Sequence, residues 1–413
     1  MARGCATLGA VSNRRIIVIC GGAAGFFAAI AAAEQGAPVT ILEKASRFLD
    51  KVRISGGGRC NVTHAGDDAG ELARNYPRGG RELLGPLHHW GPRETVAWFA
   101  ARGVALKTEA DGRMFPVTDD SATVVDCLQR AAAAAGVTLR TRCGVRAVRA
   151  GFEVELATGG TMACDRLLIA TGGNKDNAGF RIARQFGHTI EPPVPSLFTF
   201  QIDDPRLAGL QGVSAEPAAV SVEGTQLREE GPVLITHWGL SGPAVLKLSA
   251  WGARLLHDRY YHFGLVVNWV APRTPERTLA ELVQVRAGHP RERVTAWNPF
   301  GLSQRLWERL AAAAAITPAA FWTSVSNEAL QALAAQLARG EFAVAGKSLF
   351  KEEFVTCGGV RLAEIDCKTM ESRLCPGLFF AGEVLDIDGV TGGYNFQAAW
   401  TTGWLAGQAM AAR

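Results

Sequence analysis

The chain has 413 residues, nearly half of them apolar and a fifth charged, the balance of a globular protein of two or three domains. Lys and Arg exceed Asp and Glu by only four charges; without a dense basic run, composition gives no support for a nucleic-acid partner. Nine cysteines, with no C-x-x-C pair and no zinc spacing to the eight histidines, exclude a structural metal or dithiol centre of ordinary pattern, so no metal is expected.

The odd cysteine count predicts reduced thiols and a cytoplasmic location. Residues 1–13 lack a basic and then apolar leader and read as a loose tail. The Ala-rich run 23–33 is too short to span a bilayer, so no membrane partner is expected.

In chain order, residues 15–20 read as a buried strand, 23–35 as a helix and Pro38–Glu43 as the next parallel strand, one right-handed βαβ unit. The turn between the first two is Cys20-Gly21-Gly22-Ala23-Ala24-Gly25, a G-x-G-x-x-G pattern with cysteine for its first glycine. Gly22 lets the backbone approach a pyrophosphate at the helix N-terminus, and Gly25 lets the helix pack on the strand. Glu43 ends the second strand, where a carboxylate accepts ribose hydroxyls and disfavours a 2′-phosphate. The Cys20 Cβ is expected to crowd this turn, with Gly21 absorbing the unusual dihedrals.

The stretch "KVRISGGGRCNVTH" (51–64) reads as neither helix nor strand. Within it Arg59 reads as an anchor for cofactor or loop, and Cys60 as either a reactive or a packed thiol. Helices are expected near 92–102 and 120–135, the second capped among Asp119, Asp120 and Ser121. Met114-Phe115-Pro116 reads as a strand covering a pocket. Short strands punctuated by glycines fill 137–170, a β-meander that rejoins the main sheet at "RLLIATGG" (166–173), whose strand ends at Thr171-Gly172.

Past Pro192-Pro193 the texture changes to strands at 196–202, 218–222 and 260–270, then helices around 275–287, 302–314 and 326–338. The last seventy residues return to the first style. "LFFAGEVLD" (378–386) sets Gly382 and Glu383 after a strand, a carboxylate suited to ribityl hydroxyls. "GGYNFQAAW" (392–400) opens a helix at Gly393 whose positive end can face a flavin pyrimidine. The fold class predicted is α/β. A discontinuous Rossmann-like nucleotide-binding domain (14–193 and 346–413), with a parallel sheet and a β-meander, is interrupted by an inserted substrate or cap domain (194–345).

Five further stretches carry a family resemblance: "SGGGRCNVTH" (55–64), "ITHWGLSGPAVLKLSA" (235–250), "FVTCGGV" (354–360), "KTMESR" (368–373) and "GLFFAGEVLDIDGVTGGYNFQAAWTTG" (377–403). The chain resembles the BaiN-like, aminoacetone-oxidase-like family of FAD flavoproteins, in the glutathione-reductase-type superfamily. The resemblance implies FAD held by Gly22, Ala24, Gly25, Glu43, Lys44, Lys51, Arg59, Asn61, Val145, Thr171, Gly172, Glu383, Asn395 and Phe396, with Cys60, Gly382 and Gly393 beside them. It also implies an insert that is β-barrel-like over 194–271 and helical over 272–345. Three positions depart from the family pattern: Cys20 and Cys357 replace glycine and alanine, and Asp50 stands where arginine is commoner.

The flavin would carry the hard chemistry. No second G-x-G-x-x-G follows a strand, so NAD(P)H is expected only as a transient electron donor over the flavin. His237, near Ser241 in "THWGLSGP", reads as a proton carrier or as a core histidine bracing a helix start. Tyr394 reads as a residue near the ring or as packing. The expected activity is hydride transfer between flavin N5 and a small-molecule substrate, with an enone-like double bond as the leading acceptor. Amine oxidation with O₂, or a non-catalytic redox sensor, are the alternatives.

Overall fold

The computed structural model describes residues 14–173, 178–348 and 355–412; the tail expected at 1–13 lies outside them. The chain divides into two compact units. One runs up to Pro193 and resumes at Val355, and the other begins at Val194.

The first unit is organised on seven strands in the order Ile365–Asp366, Glu371–Ser372, Leu378–Phe380, Arg166–Ile169, Ile16–Ile19, Val39–Leu42 and Thr138–Arg140. The last five are parallel, and the first two add antiparallel pairs at one edge. All four residues of Ile16–Ile19 are buried, because a central parallel strand is covered on both faces and has no polar side to alternate with. The meander appears as the antiparallel sheet Val145–Arg149, Glu153–Leu156 and Thr161–Ala163. The chain then returns to the centre of the main sheet at Arg166–Ile169.

Helix Ala23–Ala33 has almost no polar residue and is buried nearly all round. The reason is the C-terminal helix Tyr394–Ala411, which packs against it almost backbone to backbone. A Cβ on Gly403 would lie 2.6 Å from the Ala24 carbonyl oxygen, and one on Gly407 would lie 2.4 Å from that of Ala28. Around this contact the Phe27 ring meets Trp90 (5.4 Å), Trp98 (4.7 Å) and Trp400 (5.2 Å). Small residues set the helix separation, and aromatic rings fill the flanks.

The segment expected to be irregular begins as helix Asp50–Gly58. It breaks at Ser55 (ψ 153°), with Gly56 and Gly57 at φ 57° and 70°. Five ordinary residues suffice for a first turn, with Leu49 and Val52 buried beneath it; the glycines then end it. Helices Ala69–Ala73 and Gly80–His89 were not expected, since Gly79, Gly80, Gly85 and Pro86 obscure their periodicity. Helix Ser121–Ala134 is capped by Asp120, which accepts from the Ala122 N–H at 2.8 Å. Asp119 pairs instead with Lys107, and the Ser121 hydroxyl donates to the Arg53 carbonyl.

The second unit holds an antiparallel sheet in the order Gly340–Val344, Phe263–Asn268, Ser214–Val222, Arg228–Ile235, Gly239–Ser241, Phe200–Gln201 and Gly346–Lys347. Its two edge strands are consecutive in the chain. The Ala345 N–H between them donates to Gln201 O at 2.9 Å, so the ribbon returns on itself in barrel fashion. Helices Pro275–Gly288, Gln304–Ala313 and Asn327–Ala338 lie close to their expected positions, and Trp269, Trp307 and Trp322 are fully buried in this unit. Strand Arg228–Ile235 escaped the sequence reading because Glu229-Glu230-Gly231-Pro232 looks like a turn.

The helix contact generates a test. Gly407→Val should cost about 1–3 kcal/mol by overpacking, seen as a lower urea midpoint. Gly85→Ala, where a Cβ meets nothing within 4 Å, should hold or raise the midpoint. Equal midpoints for the two variants would contradict the close approach.

Candidate cofactor site

The turn after the first strand is built by three unequal glycine positions. A Cβ on Gly25 would sit 2.2 Å from Cys20 O and 3.2 Å from Val18 Cγ1, so this glycine seats the helix on the strand. Gly22 caps the helix, and a Cβ there would meet nothing within 4 Å. Its surroundings are open to a group approaching the helix N-terminus. Gly21 does not absorb the unusual dihedrals as expected. Cys20 itself takes φ 86°, while a Cβ on Gly21 would strike Phe48 Cδ1 at 2.3 Å. The strain of the missing glycine therefore falls on the cysteine, a cost of about 1–2 kcal/mol.

Glu43 is buried and organises this turn. Its Oε2 accepts from the Gly21 N–H at 2.9 Å and its Oε1 from the Ala45 N–H at 2.8 Å. The Cys20 thiol lies against the same carboxylate; burial first, then the charge and hydrogen bond of Glu43, push it up to about 12. The Cys143 N–H donates to the Glu43 carbonyl at 2.8 Å. A Cβ on Gly144 would lie 3.5 Å from Lys44 Cβ, so Lys44 and the start of the meander at Val145 flank the acid.

A second carboxylate stands across the sheet. Glu383 Oε2 meets Lys51 Nζ at 2.9 Å, and its Oε1 accepts from the Thr356 N–H at 2.8 Å. Gly172, at φ 73°, follows Thr171 at the strand end, and a Cβ on it would lie 3.8 Å from both Glu383 Oε2 and Lys51 Nζ. Gly382 brings this corner onto the first turn. Its Cβ would be 2.8 Å from Ala24 Cβ, and its N–H donates to Thr402 Oγ1 at 2.9 Å. Residues from 20–25, 43, 51, 171–173 and 382–383 thus form one rim, with a carboxylate at each end and glycine backbone between.

The glycine-rich segment is fixed to the C-terminal helix. The Asn61 amide donates to Thr63 O (3.0 Å) and accepts from the Gly393 N–H (2.9 Å). Thr63 Oγ1 donates to Gln397 Oε1 at 2.6 Å, and Trp400 Nε1 donates to Val62 O at 2.8 Å. Gly393 holds φ 95° as the helix N-cap. The Asn395 amide closes on the Gly389 backbone through two 2.8 Å bonds, and the Phe396 ring stacks on Trp400. Arg59 anchors the loop: it reaches Glu109 at 2.6 Å and lies 3.9 Å over the Phe115 ring. The reactive reading of Cys60 fails, because its thiol is fully buried and burial pushes it up to about 12.

The two catalytic candidates are placed apart in kind. His237 is exposed in the turn between strands Arg228–Ile235 and Gly239–Ser241 of the second unit, which overturns the core-histidine reading. Ser241 Oγ there accepts from Thr199 Oγ1 at 2.9 Å. Tyr394 is buried, its ring stacked on His64 (4.6 Å) and edge-on to Tyr76 (5.9 Å), and burial pushes its hydroxyl up to about 12. The sequence reading missed the residues that hold the preceding loop. Asp388 is fully buried and paired with Arg78, the Tyr76 hydroxyl donates to Tyr394 O at 2.7 Å, and His64 Nδ1 meets Gly392 O at 3.0 Å. No local spacing marks Arg78 and Asp388, which lie 310 residues apart.

A glycine turn at a helix N-terminus, a buried acid ending the next strand and a second acid on the far rim define a Rossmann-type dinucleotide site. Among the described residues no group of His, Cys, Asp and Glu could hold a metal, and no helix is long and apolar enough to cross a membrane. The model of the HI0933-like protein Rossmann domain matches residues 14–409, and the chain belongs to this family of FAD-dependent flavoproteins. It is 33% identical over 406 residues to the ribosomal RNA dihydrouridine synthase of Escherichia coli K12, covering 95% of this chain and 96% of the relative. It is 31% identical over 424 residues to the 3-dehydro-bile acid delta(4,6)-reductase of Clostridium scindens, covering 97% and 99%. Its fold is similar to that of 3-ketosteroid-delta4-(5alpha)-dehydrogenase from Rhodococcus jostii RHA1, with a TM-score of 0.52, 16% identity and coverage of 98% and 99%.

Cys20→Gly should remove the strained φ, raise the thermal midpoint and hold FAD as tightly as the parent or more so, read by fluorescence titration of the apoprotein. A clear loss of FAD from that variant would show that the thiol–Glu43 contact is needed for binding.

Proposed function

We propose that this protein is an FAD-dependent reductase of a carbon–carbon double bond conjugated to a ring carbonyl, with NADH or NADPH as a transient donor. The observation that carries the reading is the single rim with Glu43 and Glu383 at its ends and the open Gly22 between. This set of groups suits one long dinucleotide: hydroxyl acceptors at both ends and a helix N-terminus in the middle. FAD, when bound, supplies hydride chemistry at its ring nitrogen N5.

In this assignment Glu43, Lys44 and Val145 take the adenosine, and Gly22, Ala24 and Gly25 take the pyrophosphate. Lys51, Thr171, Gly172, Gly382 and Glu383 border the ribityl chain. Arg59, Cys60, Asn61, Gly393, Asn395 and Phe396 frame the flavin end, Arg59 and Cys60 through loop structure. The N-terminus of the C-terminal helix there favours negative charge on the pyrimidine. Tyr394 braces that helix start, and His237 is given no role in proton transfer.

The choice of acceptor is supported by what the two relatives' activities share. Making dihydrouridine saturates the uracil double bond beside a ring carbonyl. Reducing a 3-dehydro delta(4,6) bile acid likewise saturates carbons conjugated to a ring carbonyl. An amine-binding carboxylate or aromatic cage is not evident in the sequence. The chain's small net charge is a sum over its whole length and does not decide between a free small molecule and a ring carried on RNA.

Anaerobic stopped-flow mixing of the FAD-loaded protein with NADH and with NADPH tests the reading. Prompt bleaching of the flavin, then reoxidation by a cyclic enone or by uridine in RNA, is the expected result. Bleaching only by an amine would replace the reductase with an oxidase, and no bleaching by any donor would leave a redox sensor.

A further inference from the structure

We propose that a ledge on the helical part of the second unit docks an unpaired segment of RNA. Two irregular stretches, 290–297 and 318–323, run side by side. The Val294 N–H donates to Ala320 O (3.0 Å), that of Trp322 to Glu292 O (3.0 Å) and that of Thr323 to Pro290 O (3.2 Å). Arg293 and Phe321 are bridge partners. Val294, Trp307 and Trp322 are fully buried beneath them, and Trp307 Nε1 donates to Val294 O at 2.8 Å. The backbone of the ledge is therefore held from both sides and from below.

What it leaves outside is aromatic and cationic. Trp297 is 40% exposed and Phe321 44%. The Trp297 ring stacks on His289 with centroids 4.0 Å apart and planes 22° from parallel. Arg291 and Arg293 are exposed and make no ion pair among the described residues, while Glu292 between them is engaged by His289 Nδ1 at 3.1 Å. Helix Gln304–Ala313 is tied to the ledge by Gln304 Nε2 on Thr295 O (2.5 Å).

An indole on a rigid backbone, already stacked on one ring, offers a flat face at little entropic cost to a base. Guanidinium groups without carboxylate partners suit phosphates, which they bind in bidentate fashion. A duplex hides its base faces, so the fit is to unpaired nucleotides. RNA is chosen because a uracil ring within it bears the conjugated carbonyl of the proposed reaction, and to that extent the inference rests on that reading.

The test uses full-length, FAD-loaded protein and fluorescently labelled oligouridylate, read by anisotropy across a salt series. Trp297→Ala should weaken binding about tenfold. Arg291→Glu with Arg293→Glu should weaken it at least as much and flatten the dependence of log affinity on log salt by about two. Trp297→Phe should retain most of the affinity. Unchanged melting curves and nicotinamide-driven flavin bleaching in all variants would place the loss at the ledge. Wild-type protein that fails to bind the oligonucleotide, variants that bind it unchanged, or displacement by polyglutamate as effective as by RNA would each overturn the proposal. A protein that binds RNA through the ledge but reduces no conjugated double bond would uphold it while refuting the catalytic reading.

Discussion

The architecture of the first unit depends on how closely its first and last helices approach. Gly403 and Gly407 let Tyr394–Ala411 lie against the carbonyls of Ala24 and Ala28, and this seats the end of the chain on its beginning. The rest follows from that contact. Gly382 abuts Ala24, so Glu383 arrives at the rim that the first turn opens. Asn61, Thr63 and Trp400 then tie the glycine-rich segment to the same helix. Segments more than three hundred residues apart are joined by backbone proximity, which only small side chains permit.

Within that frame the two buried or half-buried carboxylates are first of all structural acceptors. Glu43 satisfies the N–H groups of Gly21 and Ala45, and Glu383 satisfies Thr356 and pairs with Lys51. A carboxylate has more acceptor sites than these bonds use, so each can hold its own corner and still receive a ligand hydroxyl. Preorganisation of this kind lowers the cost of binding, because the acids are oriented before the ligand arrives. The positive φ of Cys20 shows that the geometry of the turn is imposed by the packing of Gly25 and Phe48 around it, even against the preference of the residue present.

Much of the first unit was legible in the sequence because its signals are local. Buried β-branched runs, glycines at fixed offsets and an acid at a strand end mark the βαβ unit, and the Gly159-Gly160 turn marks the meander. The losses have equally local causes. Strand Arg228–Ile235 carries Glu229, Glu230, Gly231 and Pro232, whose turn propensity is overridden by the antiparallel ladder of Arg228 to Gly231 with Ser221 to Ala218. The helices at 69–73 and 80–89 are too short and glycine-rich for periodicity to show. At the site, residue types were readable but not their partners. Nothing near Arg78 announces Asp388, nothing in "THWGLSGP" shows that His237 is exposed, and the Arg59 contacts with Glu109 and Phe115 exist only in three dimensions.

The second unit illustrates the opposite case, in which a whole-chain sum hides a local property. A charge near zero is compatible with arginines left without acidic partners at one place, provided the acids are engaged elsewhere, as Glu292 and Glu281 are. Glu43 and Glu383 stand at the two ends of the rim in the first unit, and equilibrium binding of FAD, FMN and riboflavin to the apoprotein measures what that rim holds. The two-ended rim predicts one FAD per chain and little affinity for FMN or riboflavin, which lack the adenosine that Glu43 would hold. Binding of FMN as tightly as FAD, or refusal of all three, would contradict it.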